Sequence, residues 1–394
     1  MYTSDRVVLA RLPSGIRVET TVHRYGTGAG PKPDDDAASD GDPANDGDPT
    51  AAPAAGPDAI AALADTEGPT LYVQAAQHGR EVNGSAVCRR LHDRLGARAD
   101  DLAGTVVVVP VADPLTFDRV SYTTPEALDA VNANMNRVWP GDPDGSIHER
   151  MAARLWRYAA AADACVDLHT GSPDTLTHTV YLRGDDASRA LAEAFGVPFL
   201  FGETAGDDAD DEWHDRDFAG KFRVAATAAG MPTITPELAH NKQLVEPAID
   251  AGVDGVANAC RHLGILPGEP SGPRVGVESG VESGVRPRAG DGGAGRGTAA
   301  ETRGDEGYRY LHNHLGRVRA SDSGLFVVDD GVELGMPVAE GDRFGAVYDP
   351  TTYEELQVAT ADRDGVCYSV AREATVRAGE TLVGVAEPLP VEER

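Results

Sequence analysis

Apolar and polar positions follow two different rhythms along this chain, and the rhythm changes near residue 307. In the first part, short apolar runs alternate with helical patterns. Residues 70–75 (TLYVQA) form one such run, and a helical pattern extends from Glu81 to Leu95. Residues 105–111 (TVVVVPV) are β-branched and apolar on both faces, as a central strand should be. A helix is predicted over 147–162 (IHERMAARLWRYAAAA), then a buried strand over 164–168 and a short strand over 233–235. A last helix runs from Val245 to Leu263, with Gly264 as its C-cap. This alternation predicts an α/β fold, a three-layer arrangement around a mostly parallel or mixed sheet.

Beyond residue 307 the pattern shortens. Residues 324–328, 343–348, 365–370 and 381–385 read as strands separated by Asp-Gly, Glu-Gly and Ala-Gly turns, which predicts a small all-β barrel or sandwich. Two stretches carry neither rhythm. Residues 31–57 lack aromatic and large aliphatic side chains and are crowded with Asp, Pro and Gly, so a disordered acidic loop is expected. Residues 268–306 are Gly-rich and read as a linker. The expected organisation is therefore an α/β domain over 1–267, a linker over 268–306 and a β-rich domain over 307–394.

Charge narrows the choice of partners. Asp and Glu total 64 against 35 Lys and Arg, a net charge of −29, and lysine is confined to Lys32, Lys221 and Lys242. So acidic a surface repels nucleic-acid phosphates and anionic membranes, which argues against both as partners. Concentrated salt screens the self-repulsion, so a halophilic cytoplasm is the expected setting. Cys88, Cys165, Cys260 and Cys367 are scattered without a C-x-x-C pair, which suggests small buried hydrophobes and not a disulfide framework or a cysteine zinc site. Residues 1–5 (MYTSD) do not resemble the start of a secretory signal, and no apolar run approaches the ~20 residues needed to span a bilayer. A soluble, cytoplasmic protein is expected, with homo-oligomerisation left open.

Candidate chemistry gathers where apolar strands end. His78 follows the run at 70–75, and Glu81 opens the next helix, so the two side chains can converge across a turn at Gly79. His169 ends a second apolar strand, in Asp167-Leu168-His169-Thr170. In parallel α/β sheets ligands gather at the carboxyl ends of strands. Two histidines and a carboxylate with an open fourth position describe a catalytic zinc site, one ion per chain. Asp167 is expected on the opposite side of its strand, in a structural role. Glu237, just after a third strand, can take a proton from an attacking water and pass it to a leaving nitrogen. Asn136 and Arg137 offer an amide and a forked cation for a substrate carboxylate. His178, His214 and His240 are more commonly solvated or core histidines than ligands.

The motifs H-G-x-E-x-N-G (His78–Gly84), N-R-x-W-P-G (Asn136–Gly141), D-L-H-T (Asp167–Thr170) and T-x-E-L (Thr235–Leu238) occur in that order. In this the chain resembles the succinylglutamate desuccinylase/aspartoacylase family, relatives of zinc carboxypeptidases. The resemblance covers most of residues 70–266 and continues into the β-rich region. It implies a zinc carboxypeptidase-like α/β domain, zinc held by His78, Glu81 and His169, Glu237 as general base, and Asn136 and Arg137 on a substrate carboxylate. The implied activity is hydrolysis of the amide bond of a small N-acylated amino acid or similar carboxylate. Asn134 stands where the family usually has aspartate, and Tyr122 where many members have a second substrate arginine, with Arg119 nearby. Residues 239–241 (AHN) also replace the usual small, glycine-rich run, so substrate specificity does not transfer.

Three other readings compete. A metallocarboxypeptidase acting on peptides would use Arg137 equally well. A binding protein that has lost catalysis is disfavoured by the presence of Glu237 beside all three ligands. The β-rich region also resembles biotinyl and lipoyl carrier domains, but these need a lysine, and none follows Lys242.

Overall fold

The computed structural model describes residues 1–12, 14–26, 68–123, 134–171, 174–209, 211–215, 217–273, 307–312, 317–372 and 375–394. The acidic stretch 31–57 and residues 274–306 of the Gly-rich stretch lie outside the described residues, while 268–273 adopt no regular structure.

The chain opens on an antiparallel hairpin, β1 (Tyr2–Arg11) and β2 (Arg17–Gly26). Then come β3 (Thr70–Ala75), α1 (Val82–Gly96), β4 (Thr105–Val109), α2 (Pro114–Arg119) and α3 (Ile147–Ala159). β5 (Ala164–Gly171), β6 (Asp174–Thr175), β7 (His178–Leu182), α4 (Asp186–Phe195) and β8 (Phe199–Glu203) follow. The run closes with α5 (Asp211–Asp215), α6 (Phe222–Ala228), β9 (Thr233–His240) and α7 (Glu246–His262). These strands other than β6, with β10 (Arg309–His312), make a nine-stranded sheet in the order β1-β2-β4-β3-β5-β9-β7-β8-β10. The sheet is mixed: β3 pairs parallel with β4 and β5, whereas β7 pairs antiparallel with β9.

The two-residue period of the strands explains the layers. Leu71, Val73, Val106, Val108, Val166 and Leu168 face a core completed by Leu91 of α1, Phe195 of α4 and Val256 of α7. Tyr72, Val107, Val109 and Cys165 face the other core, with Leu155 of α3 and Phe222 of α6. A strand buried on both faces needs no polar alternation, so the runs at 70–75 and 105–109 are buried throughout and mostly apolar. All four cysteines are free and buried.

The later strands are β11 (Arg317–Arg319), β12 (Gly324–Val328), β13 (Pro337–Val338), β14 (Arg343–Tyr348), β15 (Glu355–Thr360), β16 (Gly365–Val370), β17 (Thr375–Val376) and β18 (Thr381–Ala386). They form two sheets, β11-β18-β16-β13 and β15-β14-β12-β17, around Phe326, Phe344, Cys367, Val370 and Val383. Strand pairing crosses residue 307 in both directions. β10 extends the large sheet by pairing parallel with β8, and β6 pairs antiparallel with β16. Residues of β16 and β18 border the same cavity as His169 of β5 and Glu237 of β9. Among the described residues, no helix is long and apolar enough to cross a membrane.

Candidate metal centre and active site

β3, β5 and β9 lie side by side and parallel in the order β3-β5-β9, so their carboxyl ends share one edge of the sheet. His78 and Glu81 come from the turn between β3 and α1, His169 from the end of β5 and Glu237 from β9. Gly79 is needed in that turn for close approach: a Cβ there would meet the Thr116 carbonyl oxygen at 1.9 Å. Asn83 fastens α1 to the far strand, donating through Nδ2 to the Leu238 carbonyl at 2.9 Å while its Oδ1 accepts from the Val245 amide at 2.9 Å. Gly84 lets the helix pack against Leu168. The asparagine and glycine of the first motif thus place its histidine and glutamate.

His78, Glu81 and His169 are all buried, and one ligand atom from each lies within 4.8 Å of the others. His78 Nδ1 stands 2.8 Å from Glu81 Oε1, and His169 Nδ1 stands 3.0 Å from Glu81 Oε2. The opposite nitrogen of each ring is held from outside, His78 Nε2 by Asn134 Oδ1 at 3.2 Å and His169 Nε2 by Asp167 Oδ2 at 3.0 Å. Once neutral, a ring whose Nε2–H donates to that outer oxygen turns an Nδ1 lone pair toward the Glu81 carboxylate. That arrangement calls for positive charge between the rings and Glu81, and it fits a divalent ion with nitrogen and oxygen ligands. The electrostatics agree. Burial opposes the charge on Glu81, but the imidazoles of His78 and His169 outweigh it and hold the carboxyl at about 2. Burial likewise works against charge on His169, and Asp167 and Glu81 overcome it, raising the ring well above its ordinary value.

Asp167 was expected on the far side of its strand. Residues two apart share a face of a strand, and Asp167 and His169 do so. Asp167 is itself the centre of a buried network. Gln77 Nε2 donates to its two oxygens at 2.9 and 2.8 Å, and Gln74 Nε2 donates at 3.1 Å. Trp139 Nε1 in turn donates to Gln77 Oε1 at 2.8 Å. Sequence reasoning missed Gln74 and Gln77; their signal is a pair of polar residues in and just after an otherwise apolar central strand.

Glu237 is the register partner of His169 across β5–β9 and of His178 across β7–β9. Part of its surface faces a cavity of about 520 Å³ that also borders His78, Glu81, His169 and Arg137. Burial raises its carboxyl to about 7; the neighbouring imidazole of His169 pulls the other way and the charge on Glu81 adds to the rise. His178 Nδ1 donates to the Leu176 carbonyl at 2.7 Å, and burial lowers this ring to about 4, so a neutral imidazole lines the wall. His240 ends β9 and His214 lies in α5, and neither borders the cavity.

Asn136 is buried, its Oδ1 accepting from the Phe222 amide at 2.9 Å and its Nδ2 standing 3.5 Å from His169 Nε2. The guanidinium of Arg137 lies 4.7 Å over the Phe218 ring and donates to the Asn136 carbonyl. Lys221 and Arg223 also border the cavity, and both pair with buried Glu203, Lys221 at 2.6 Å. Burial lowers the Lys221 ammonium to about 7, against the pull of Glu203. Tyr122 takes no cation's part: its ring stacks on His78, with centroids 4.1 Å apart and planes at 22°. Arg119 donates to the Leu115 carbonyl at 2.8 Å and does not border the cavity. Arg317, Tyr368, Ser369 and Thr381 complete the far wall from β11, β16 and β18.

A family profile described as the succinylglutamate desuccinylase/aspartoacylase catalytic domain matches residues 67–263. The chain is 30% identical over 339 residues to the N-alpha-acetyl-L-2,4-diaminobutyric acid deacetylase of Halomonas elongata, covering 82% of this chain and 83% of the relative. Its fold is shared with a succinylglutamate desuccinylase of Silicibacter sp., at 19% identity, coverage of 98% and 95%, and a TM-score of 0.68. It is shared equally with the product-bound ectoine utilization protein EutE (DoeB) of Ruegeria pomeroyi, at 21% identity, the same coverage and a TM-score of 0.68. The profile spans every motif from His78 to Leu238, and the match to the Halomonas deacetylase extends over four-fifths of both chains, so the chain belongs to the succinylglutamate desuccinylase/aspartoacylase family.

Proposed function

We propose that this protein is a zinc-dependent hydrolase that cleaves the amide bond of a small N-acylated amino acid. The observation that carries the reading is the convergence of His78, Glu81 and His169 on one point beside Glu237. His78 and His169 would hold the ion through Nδ1 and Glu81 through its carboxylate. The chemistry zinc supplies when bound is Lewis acidity, toward a carbonyl oxygen and toward water. Glu237 takes a proton from the water whose oxygen attacks the scissile carbonyl carbon. As the carbon–nitrogen bond breaks, the same carboxyl returns that proton to the leaving amine. Arg137, steadied by Phe218 beneath it, pairs with the substrate carboxylate. The Halomonas relative, by its name a deacetylase of an acylated diamino acid, supports a small substrate of this kind.

The walls favour a small substrate over a peptide, because β11, β16 and β18 face the ligand edge across the cavity. We place the protein in a saline cytoplasm on its net charge of −29. The test is an activity screen of the zinc-loaded full chain in molar KCl over N-acetyl, N-succinyl and N-formyl amino acids, reading released amine. Release from one of these series supports the proposal. Activity confined to peptides with a free C-terminus would replace it with a metallocarboxypeptidase.

A further inference from the structure

His78 and His169 present the same nitrogen to Glu81 but are backed by chemically different groups. The oxygen behind His169 belongs to the Asp167 carboxylate, buried and fed by Gln74 and Gln77. The oxygen behind His78 belongs to the Asn134 side chain. Asn134 Oδ1 also accepts the backbone N–H of Asn136 at 2.9 Å, capping the turn at Met135–Arg137. A backbone N–H only donates, so the atom facing it must be the amide oxygen. The same oxygen faces His78 Nε2, which therefore carries a proton, and in the neutral ring that a metal ligand requires this leaves Nδ1 as the lone pair. Tyr122 covers the ring face at 4.1 Å, blocking rotation away from this geometry.

We infer that Asn134 is a positioning residue for the metal ligand His78, fixing its tautomer through a neutral oxygen and so making His78 the weaker of the two imidazole ligands. The inference rests on the metal reading above. A carboxylate behind an imidazole makes the ring a more basic ligand than a neutral amide does, and such outer partners typically change metal affinity 10–100-fold. The site is thus asymmetric: His169 is backed by charge, His78 by a dipole.

The competing account is that Asn134 only caps the turn. Asn, Asp and Ser cap about equally well, so Asn134→Asp and Asn134→Ser preserve the cap and separate the two roles. Aspartate places a charged oxygen behind His78; serine is too short to reach it. Zinc affinity of the full chain is measured for each by competition with a chromophoric chelator at fixed pH and salt, with circular dichroism confirming the fold. The expected order is Asp tighter than Asn by about tenfold and Ser weaker than Asn by about tenfold. Equal affinities across the three folded proteins, with the unmodified chain binding one zinc, would overturn the inference and leave the metal site standing. If the unmodified chain binds no zinc, the metal reading falls and takes this inference with it.

Discussion

Glu237 and His169 are directly opposite one another on the parallel strands β9 and β5. Side chains of paired residues on neighbouring strands point to the same face of the sheet. Their relative position is therefore set by the sheet's hydrogen-bonded register and not by a mobile loop. A carboxylate carried on one strand beside a histidine on the next keeps its distance from it without extra support, and site geometry on rigid elements is held most tightly. Tyr181 and Leu182 on β7, and Leu200 and Phe201 on β8, anchor the same sheet on the other side of Glu237.

Burial raises Glu237 to about 7, and the group works as a base only when ionised. The sign follows: activity is low where the carboxyl is protonated and rises as pH passes upward through its pKa. The positive charge of a bound ion moves that midpoint down. The expected profile of kcat/KM is a rising limb with its midpoint at or below about 7, measured between roughly pH 5 and 8. A profile flat over that range would count against Glu237 as the base.

Metal removal gives a second check. Treatment with a chelator should abolish activity, and added zinc should restore it. His78→Ala, which deletes one of the three proposed ligands, should bind less than one zinc per chain under conditions that saturate the unmodified protein. Zinc content by atomic absorption, beside a fluorescence measurement of fold, decides the matter. Full zinc occupancy in this variant would remove His78 from the ligand set.

Arg137 is held by a stacking contact on one side and by the Asn136 carbonyl on the other, so its fork is already oriented. Charge-assisted hydrogen bonds of this kind are worth about 1.5–3 kcal/mol. Arg137→Ala should raise KM by roughly 10–100-fold while changing kcat much less. Arg137→Lys should recover only part of the loss, because an ammonium cannot form the paired contact. A drop confined to kcat would mean that Arg137 acts on the reacting atoms instead.

Much of this site could be read from the sequence because it hangs on strand ends. The runs 70–75 and 164–168 are mostly apolar and buried on both faces, and a histidine after each marks the carboxyl edge where ligands gather. The β1–β2 hairpin escaped because the bulge between Val8 and Ala10 breaks its alternation. β7 and β8 are short apolar runs whose periodicity does not separate strand from helix. β9 was expected to stop at Thr235 and continues to His240, through Pro236 and a positive φ at Ala239. The outer partners of the ligands were the least legible. Gln74 and Gln77 reach Asp167 only because β3 and β5 lie side by side, and Asn134 reaches His78 across 56 residues of sequence.

The net charge of −29 leads to a prediction about stability. Self-repulsion among surface carboxylates is screened as the Debye length falls from ~10 Å at 0.1 M salt to ~3 Å at 1 M. The melting temperature should rise steeply between those concentrations of KCl and then level off, as repulsion is removed. Scanning calorimetry across that series tests it. A melting temperature independent of salt would argue for an ordinary acidic protein and against a saline cytoplasm.

The decisive experiment for the reaction is Glu237→Gln. The attacking water must lose a proton and the leaving amine must gain one, whichever acyl group the substrate carries. Glu237 borders the same cavity as His78, Glu81 and Arg137 and is not one of the three converging ligands, so one carboxylate can serve both transfers. Glutamine keeps the size and most of the hydrogen bonding of glutamate but has no useful basicity. The variant should fold, bind zinc with unchanged stoichiometry and retain its KM, because neither the ligands nor Arg137 are altered. Its kcat should fall by about 10²–10⁴, the usual worth of general acid–base catalysis. Glu237→Asp should fall less than glutamine, since it keeps a carboxylate set back by one methylene. Two measurements on the same preparation, zinc content and turnover, separate a lost base from a lost metal. Near-normal turnover in zinc-loaded Glu237→Gln would exclude this residue from proton transfer and direct attention to His178, the neutral imidazole in register with it on β7.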